Sequence, residues 1–243
     1  AGILENVRYL AGLVDDVELL IFESDEISPI PSAAEVRELS RIARDNGLTY
    51  TVHLPLDLWL GAADEAERSA SAGKVRRIVE RMAPAEPFAY VCHLNGDRPG
   101  PVPSAHPDRW AGQCRRSLEE IVRSVAPQRI CVETLDYPFP FAEGPVRGLD
   151  LGVCLDAGHC RLHGYSAQEI IRDHGPRIRV MHLHGVADGR DHRPLSCMDT
   201  EELAFLSSWA GGDATVPRVL TMEVFSRASF EQSLRSMAAF LRD

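Results

Sequence analysis

Apolar and polar positions along the chain switch repeatedly between a helical period and a strand period. Leu4, Val7, Leu10, Ala11 and Val14 recur at helical spacing, and Val17-Glu18-Leu19-Leu20-Ile21-Phe22-Glu23 then reads as a strand. Ser32-Ala33-Ala34-Glu35 has the form of a capping box. It opens a helix that keeps Val36, Leu39, Ile42 and Ala43 on one face, with Gly47 suited to its end. A strand over 49–53 follows, then an Ala-rich helix over about 65–82 that Pro84 stops. The alternation continues with strands ending at His93, Glu133, Asp156, His182 and Glu223. Between them lie a Gly- and Pro-rich loop over 95–107, a helix near 110–125 and an aromatic, proline-stiffened loop over 136–141. A second capping pattern sits at Ser166-Ala167-Gln168-Glu169, followed later by a polar loop over 185–196 and a helix near 201–209. Ser229 opens a closing helix that ends near Arg242.

Strand and helix in strict alternation imply parallel strands joined by helical crossovers. Seven strands are predicted, with no composition break that would mark a linker, so residues 1–243 are expected to form one domain. The expected fold is an α/β (β/α)8 TIM barrel. A closed barrel has eight strands, and the chain opens on a helix, so the first strand is expected upstream of residue 1. The rival, an open doubly wound sheet, calls for a Gly-rich turn after an early strand, and the sequence has none.

Six apolar runs end in a side chain that can bind metal: His53, His93, Glu133, Asp156, His182 and Glu223. Singly, each has an ordinary structural explanation as a hydrogen-bonded histidine, a helix cap or a salt-bridge partner. Six in succession point to a shared purpose, because barrel active sites gather where the strands end. A metal needs ligands converging from several sides at about 2.0–2.3 Å. Neighbouring strand ends supply that convergence, and imidazole mixed with carboxylate suits Zn, Mn, Fe or Co. His184 shares the face of His182 and either supports a ligand or touches substrate. His106, His163 and His174 fall in loop or helix contexts and read as solvated.

Composition narrows the partners. The formal charge is −10 with no basic block, which argues against nucleic acid. No apolar run approaches the roughly 20 residues of a membrane span, and the first residues lack a secretory layout, so a cytoplasmic protein is expected. None of the six cysteines forms a Cys-x-x-Cys pair. Cys92, Cys131 and Cys154 sit just before candidate ligands and are expected to point away from them into packing.

Glu133, Asp156, His182 and Glu223 resemble the four metal ligands of the xylose-isomerase-like TIM barrels, a superfamily of sugar isomerases, epimerases and endonuclease IV-type phosphodiesterases. Asp156-Ala157-Gly158-His159 is similar to the superfamily's Asp-x-x-His turn, and Met181-His182-Leu183 to its next strand end. The resemblance implies that His53 and His93 would hold a second metal bridged through Glu133, and that His159 would ligate a third. The remaining ligands of that third metal are an Asp and a His two residues apart. Here Asp191 and His192 are adjacent, a departure that leaves the third site open.

Two metals about 3.5–4 Å apart can stabilise both attacking and leaving oxygens of a phosphodiester, which gives His53 and His93 a purpose. The expected function is therefore metal-dependent phosphodiester hydrolysis with two or more divalent cations, Zn ahead of Mn or Co, and Glu133, Glu223 and His159 at the chemistry. Leu10-Ala11-Gly12-Leu13-Val14-Asp15-Asp16-Val17-Glu18-Leu19 and Thr51-Val52-His53-Leu54-Pro55 resemble the cobamide-remodelling phosphodiesterases. That likeness implies a corrinoid substrate opened at its nucleotide loop, with residues 137–141 either stacking on it or forming a structural lid. The alternative is a single-metal isomerase or epimerase of a sugar or sugar phosphate, with Glu133 and Glu223 as acid and base and His159 on the substrate. A barrel that binds no metal and catalyses nothing is the third reading.

Overall fold

The computed structural model describes residues 2–21, 30–213, 215–238 and 240. Seven strands form one sheet in chain order, every neighbouring pair parallel: β1 (Asp16–Leu20), β2 (Thr49–His53), β3 (Ala89–Cys92), β4 (Ile130–Glu133), β5 (Gly152–Asp156), β6 (Ile178–Leu183) and β9 (Val219–Met222). The helices between them are α1 (Ile3–Leu10), α2 (Ala33–Asn46), α3 (Glu65–Met82), α4 (Pro107–Ile121), α5 (Pro140–Gly148), α6 (Ala157–His163), α7 (Ala167–His174), α8 (Thr200–Gly211) and α9 (Arg227–Met237). The sheet curls into a nearly closed barrel. Its first and last strands do not share a ladder, but Thr221 on β9 donates to the Glu18 carboxylate on β1 at 3.4 Å. Among the described residues the sheet has seven strands; Phe22 and Glu23, expected to extend the first of them, lie outside the described residues.

Local chemistry accounts for the helix ends. At α2 both halves of the capping box form: Ser32 Oγ accepts from the Glu35 N–H at 3.2 Å, and the Glu35 carboxylate accepts from the Ser32 N–H at 2.8 Å. At α7 only the Ser166 half is made. The last helix is capped by Ser226, not Ser229, because the Ser226 hydroxyl accepts from the Ser229 N–H. Pro140 and Phe141, the last two residues of the loop expected over 136–141, instead open α5, with Pro140 in the first turn where its missing N–H costs nothing.

Tyr137 and Phe139 are core residues at 2% and 4% exposure, and the Tyr137 hydroxyl donates to the Leu94 carbonyl, so this aromatic pair neither forms a lid nor faces a ligand. His174 is buried as well, its ring edge-on to Phe139 at 5.0 Å. The polar loop over 185–196 contains a hairpin, β7 (Gly185–Ala187) and β8 (Arg190–Arg193), turning on Asp188 and Gly189. Both turn residues have positive φ, 55° and 66°, as a two-residue hairpin loop demands.

Strand alternation sets what lies inside the barrel. Ala89, Val91, Cys131, Cys154 and Val180 pack together as an inner floor, and residues two positions further along β3, β4, β5 and β6 are His93, Glu133, Asp156 and His182. Cys131 and Cys154 therefore share the inward face of the candidate ligands, contrary to expectation; only Cys92 turns outward into the helix-covered core. Above the floor, Thr134 locks two strand ends together. Its Oγ1 accepts from the Asp156 N–H at 2.9 Å and donates to the Asp156 carbonyl at 3.2 Å. Thr134→Val keeps the shape but orphans that buried N–H. Urea unfolding is expected to show a loss of about 1–3 kcal/mol; unchanged stability would contradict the lock.

Candidate metal centre at the barrel mouth

Glu133 ends β4 with its side chain sealed from solvent, and its two oxygens face different neighbours. Oε2 lies 3.0 Å from His93 Nε2 and 3.3 Å from His53 Nε2. Oε1 lies 3.3 Å from His159 Nδ1 and 3.6 Å from His182 Nδ1. The ends of β2, β3 and β6 and the first turn of α6 thus bring four imidazoles around one carboxylate.

Two donor sets built from His and carboxylate alone share that carboxylate. In the first, ligand atoms of Glu133, Asp156, His182 and Glu223 all lie within 4.8 Å of one another. Three atoms of these residues, Glu133 Oε1, His182 Nδ1 and Glu223 Oε2, are buried without a hydrogen-bond partner. An orphaned buried polar atom is costly, and three around one point mark a place for a shared cation. Bonds of about 2.0–2.3 Å to atoms this close satisfy all of them, so the set fits a divalent metal. In the second set, His53, His93 and Glu133 bring their donor atoms within the same 4.8 Å.

Backbone and carboxylate partners aim the rings. His53 Nδ1–H donates to the Leu54 carbonyl at 2.8 Å, so Nε2 is the nitrogen turned to Glu133, 3.3 Å from Oε2. His182 Nε2–H donates to Glu18 Oε2 at 3.0 Å, leaving Nδ1 as the free donor atom. A carboxylate behind a ligating imidazole fixes the ring and raises its basicity. Sequence reading passed over Glu18. Its only signal is an acid on the inward face of an apolar strand, and its partner is 164 residues away.

The hairpin carries Asp191 and His192 to the same mouth. Asp191 Oδ2 lies 3.9 Å from His159 Nε2, and Asp191 Oδ1 lies 3.0 Å from His192 Nδ1. His192 Nε2 faces Glu223 Oε2 at 3.5 Å, and its ring stacks on the exposed Phe225 at 4.6 Å. His159, on the first turn of α6, also sits 3.1 Å from Asp156 Oδ2. All eight residues that the sequence marks as candidate ligands, with Asp191, therefore meet in one place. Of the cysteines, Cys154 also reaches the Glu133–His182 pair from the floor.

The charges hold each other in place. Burial pushes the Glu133 carboxyl up, but the His93 and His182 charges overcome it and keep the group well below its ordinary range. Burial likewise pushes Glu223 up, and His182 and His192 bring it down. Burial pushes His53 down, yet the Glu133 carboxylate lifts it to about 9. His159 behaves the same way, lifted to about 10 by Glu133 and Asp156. Without metal, the imidazoles of His53 and His159 hold protons at neutral pH where a cation would sit.

Among the described residues no helix is long and apolar enough to cross a membrane. No curated protein sequence matches the chain. Solved structures do. A 3-keto-D-glucoside 4-epimerase from E. coli is 17% identical with a TM-score of 0.71, covering 98% of this chain and 93% of its own. Endonuclease IV from Thermus thermophilus is 19% identical with a TM-score of 0.69, covering 98% and 93%. Another Thermus thermophilus protein, whose crystals were soaked with ZnCl2, is 22% identical with a TM-score of 0.71, covering 99% and 96%. At these identities the likeness speaks for the fold alone. The family model described as "Xylose isomerase-like TIM barrel" matches residues 11–242, and the chain belongs to that family.

Proposed function

We propose that this protein is a metal-dependent hydrolase of a small-molecule phosphodiester. The observation that carries the reading is the split of Glu133, one oxygen toward His53 and His93 and the other toward His182 and the orphaned donor set. A bridging carboxylate of this kind suits two cations side by side. When bound, such a pair supplies electrostatic stabilisation to the attacking and leaving oxygens of an in-line displacement. His53, His93 and Glu133 would hold one cation, and Glu133, Asp156, His182 and Glu223 the other. Glu18 keeps His182 aimed, and His159, whose Nε2 faces the open mouth beside Asp191, is placed to orient the substrate or pass it a proton.

Within this class we place a cobamide first, cleaved at its nucleotide loop. Support comes from the segment resemblance around Leu10–Leu19 and Thr51–Pro55, and from an exposed apolar rim. Leu56, Trp59 and Phe225 are 49%, 41% and 69% exposed on loops that follow β2 and β9. They suit a bulky substrate with apolar faces. The acidic net charge disfavours a nucleic-acid polymer. The second reading is a single-metal sugar isomerase or epimerase, favoured by the completeness of the Glu133, Asp156, His182 and Glu223 set by itself.

Metal analysis of purified protein is expected to give two or more equivalents of divalent cation, with turnover of adenosylcobalamin and none of a ketose panel. One equivalent with ketose turnover would establish the second reading instead. His93→Ala is expected to lower phosphodiesterase activity by more than the ~10–100-fold typical of a supporting residue, with the melting transition retained. Full activity in that variant would remove the two-metal argument.

The raised histidines set a pH dependence. Their folded values lie above the ordinary 6.5, so the ion pairs of His53 and His159 stabilise the metal-free protein fully below pH 6.5. That contribution is lost as pH rises through about 9 and 10. The same protons compete with metal, so chelator-competition titrations are expected to show zinc affinity climbing from pH 6.5 to 9 while the urea midpoint of the metal-free protein falls. A pH-independent affinity would contradict this.

A further inference from the structure

His184 lies two residues beyond His182 and is fully buried at 0% exposure. Both of its ring nitrogens are engaged, on opposite sides. Nε2 lies 3.1 Å from Asp156 Oδ1 and 3.2 Å from Asp156 Oδ2. Nδ1 lies 3.0 Å from the backbone nitrogen of His192, whose N–H must donate to it. The Gly185 carbonyl is also near Nδ1, but at 3.4 Å, and the shorter N–H contact decides the tautomer. Nδ1 therefore carries the lone pair and Nε2 the proton, which it gives to Asp156.

The surroundings are built around this ring. A Cβ at Gly158 would meet the His184 ring at 2.0–2.5 Å, so the small residue in Asp156-Ala157-Gly158-His159 exists to let the imidazole pass beneath the turn. His192, which donates to the ring, has φ 52°, a left-handed conformation that a residue with a side chain avoids unless something holds it. The His192 ring then stacks on the His184 ring at 4.5 Å.

We propose that His184 is a positioning residue that couples the metal centre to the β7–β8 hairpin. Its Nε2–H fixes the Asp156 carboxylate, and its Nδ1 fixes the backbone of His192, so that a ligand and the loop carrying Asp191 and His192 are set by one neutral imidazole. With both nitrogens committed, His184 is no ligand itself, although it lies close enough to His159 and His192 to pass for one. The metal half of this proposal rests on reading the mouth as a metal centre.

The two bonds can be removed separately. In His184→Gln the side-chain amide reaches as far as Nε2 and keeps a donor toward Asp156, but gives the His192 N–H no acceptor at Nδ1. In His184→Asn the shorter amide oxygen replaces Nδ1 and keeps the acceptor, but cannot reach Asp156. Zinc affinity is measured by chelator competition, and hydrogen exchange at the His192 amide is followed in the metal-free protein. The Gln variant is expected to bind zinc within about threefold of the parent and to exchange the His192 amide faster. The Asn variant is expected to bind zinc ~10–100-fold more weakly, the loss seen when a ligand's supporting partner is removed, with the His192 amide still protected. Gly158→Ala, which drives the ring out, is expected to show both defects together. Equal zinc affinity in the Gln and Asn variants, or equal His192 exchange in both, would overturn the proposal. A parent protein that binds no divalent cation would instead contradict the metal-centre reading, and the exchange data alone would then decide the hairpin half.

Discussion

An ionised carboxylate shut away from water persists only where positive charge surrounds it, and Glu133 is the place where this chain meets that condition. Burial works against its charge, and the imidazoles of His53, His93, His159 and His182 outweigh burial from four directions. A buried charge stripped of its partners is strongly destabilising. Each neighbouring strand end must therefore arrive at the right height. Parallel registers deliver this: Cys92 pairs with Val132, Glu133 with Cys154, and Asp156 with His182.

Support for the mouth is organised in layers along the strands. The floor of Ala89, Val91, Cys131, Cys154 and Val180 is apolar and small, so the polar residues two positions further on sit in a low-dielectric setting where electrostatic contacts are strong. Above it, Thr134 ties β4 to β5, Glu18 braces His182, and His184 braces Asp156. None of these three needs to touch a substrate, yet each limits how far a donor atom can move. A site built on strand ends with such partners is better defined than one on loops alone.

The strand ends were legible because a local rule, apolar run then ligand-capable residue, repeats at each of them. Local rules also gave the capping box at Ser32 and the full extent of α3. What the sequence hid was non-local or needed finer counting. Glu18 acquires meaning only across the gap between the first and last strands. Cys131 and Cys154 stand two residues before their ligands, so alternation turns them inward, not outward. Tyr137 and Phe139 each precede a proline, a pattern that suggests an open loop, but burial of two aromatic rings outweighs that signal. The hairpin was missed within the polar loop over 185–196: Asp188-Gly189 is a turn signal, but the flanking strands of three and four residues are too short to show a period.

Zinc-loaded crystals measured across the zinc absorption edge test the central claim most directly. The account predicts two anomalous peaks about 3.5–4 Å apart on either side of the Glu133 carboxylate, one beside His53 and His93 and one among Asp156, His182 and Glu223. A single peak in the second set, with nothing beside His53 and His93, would contradict it.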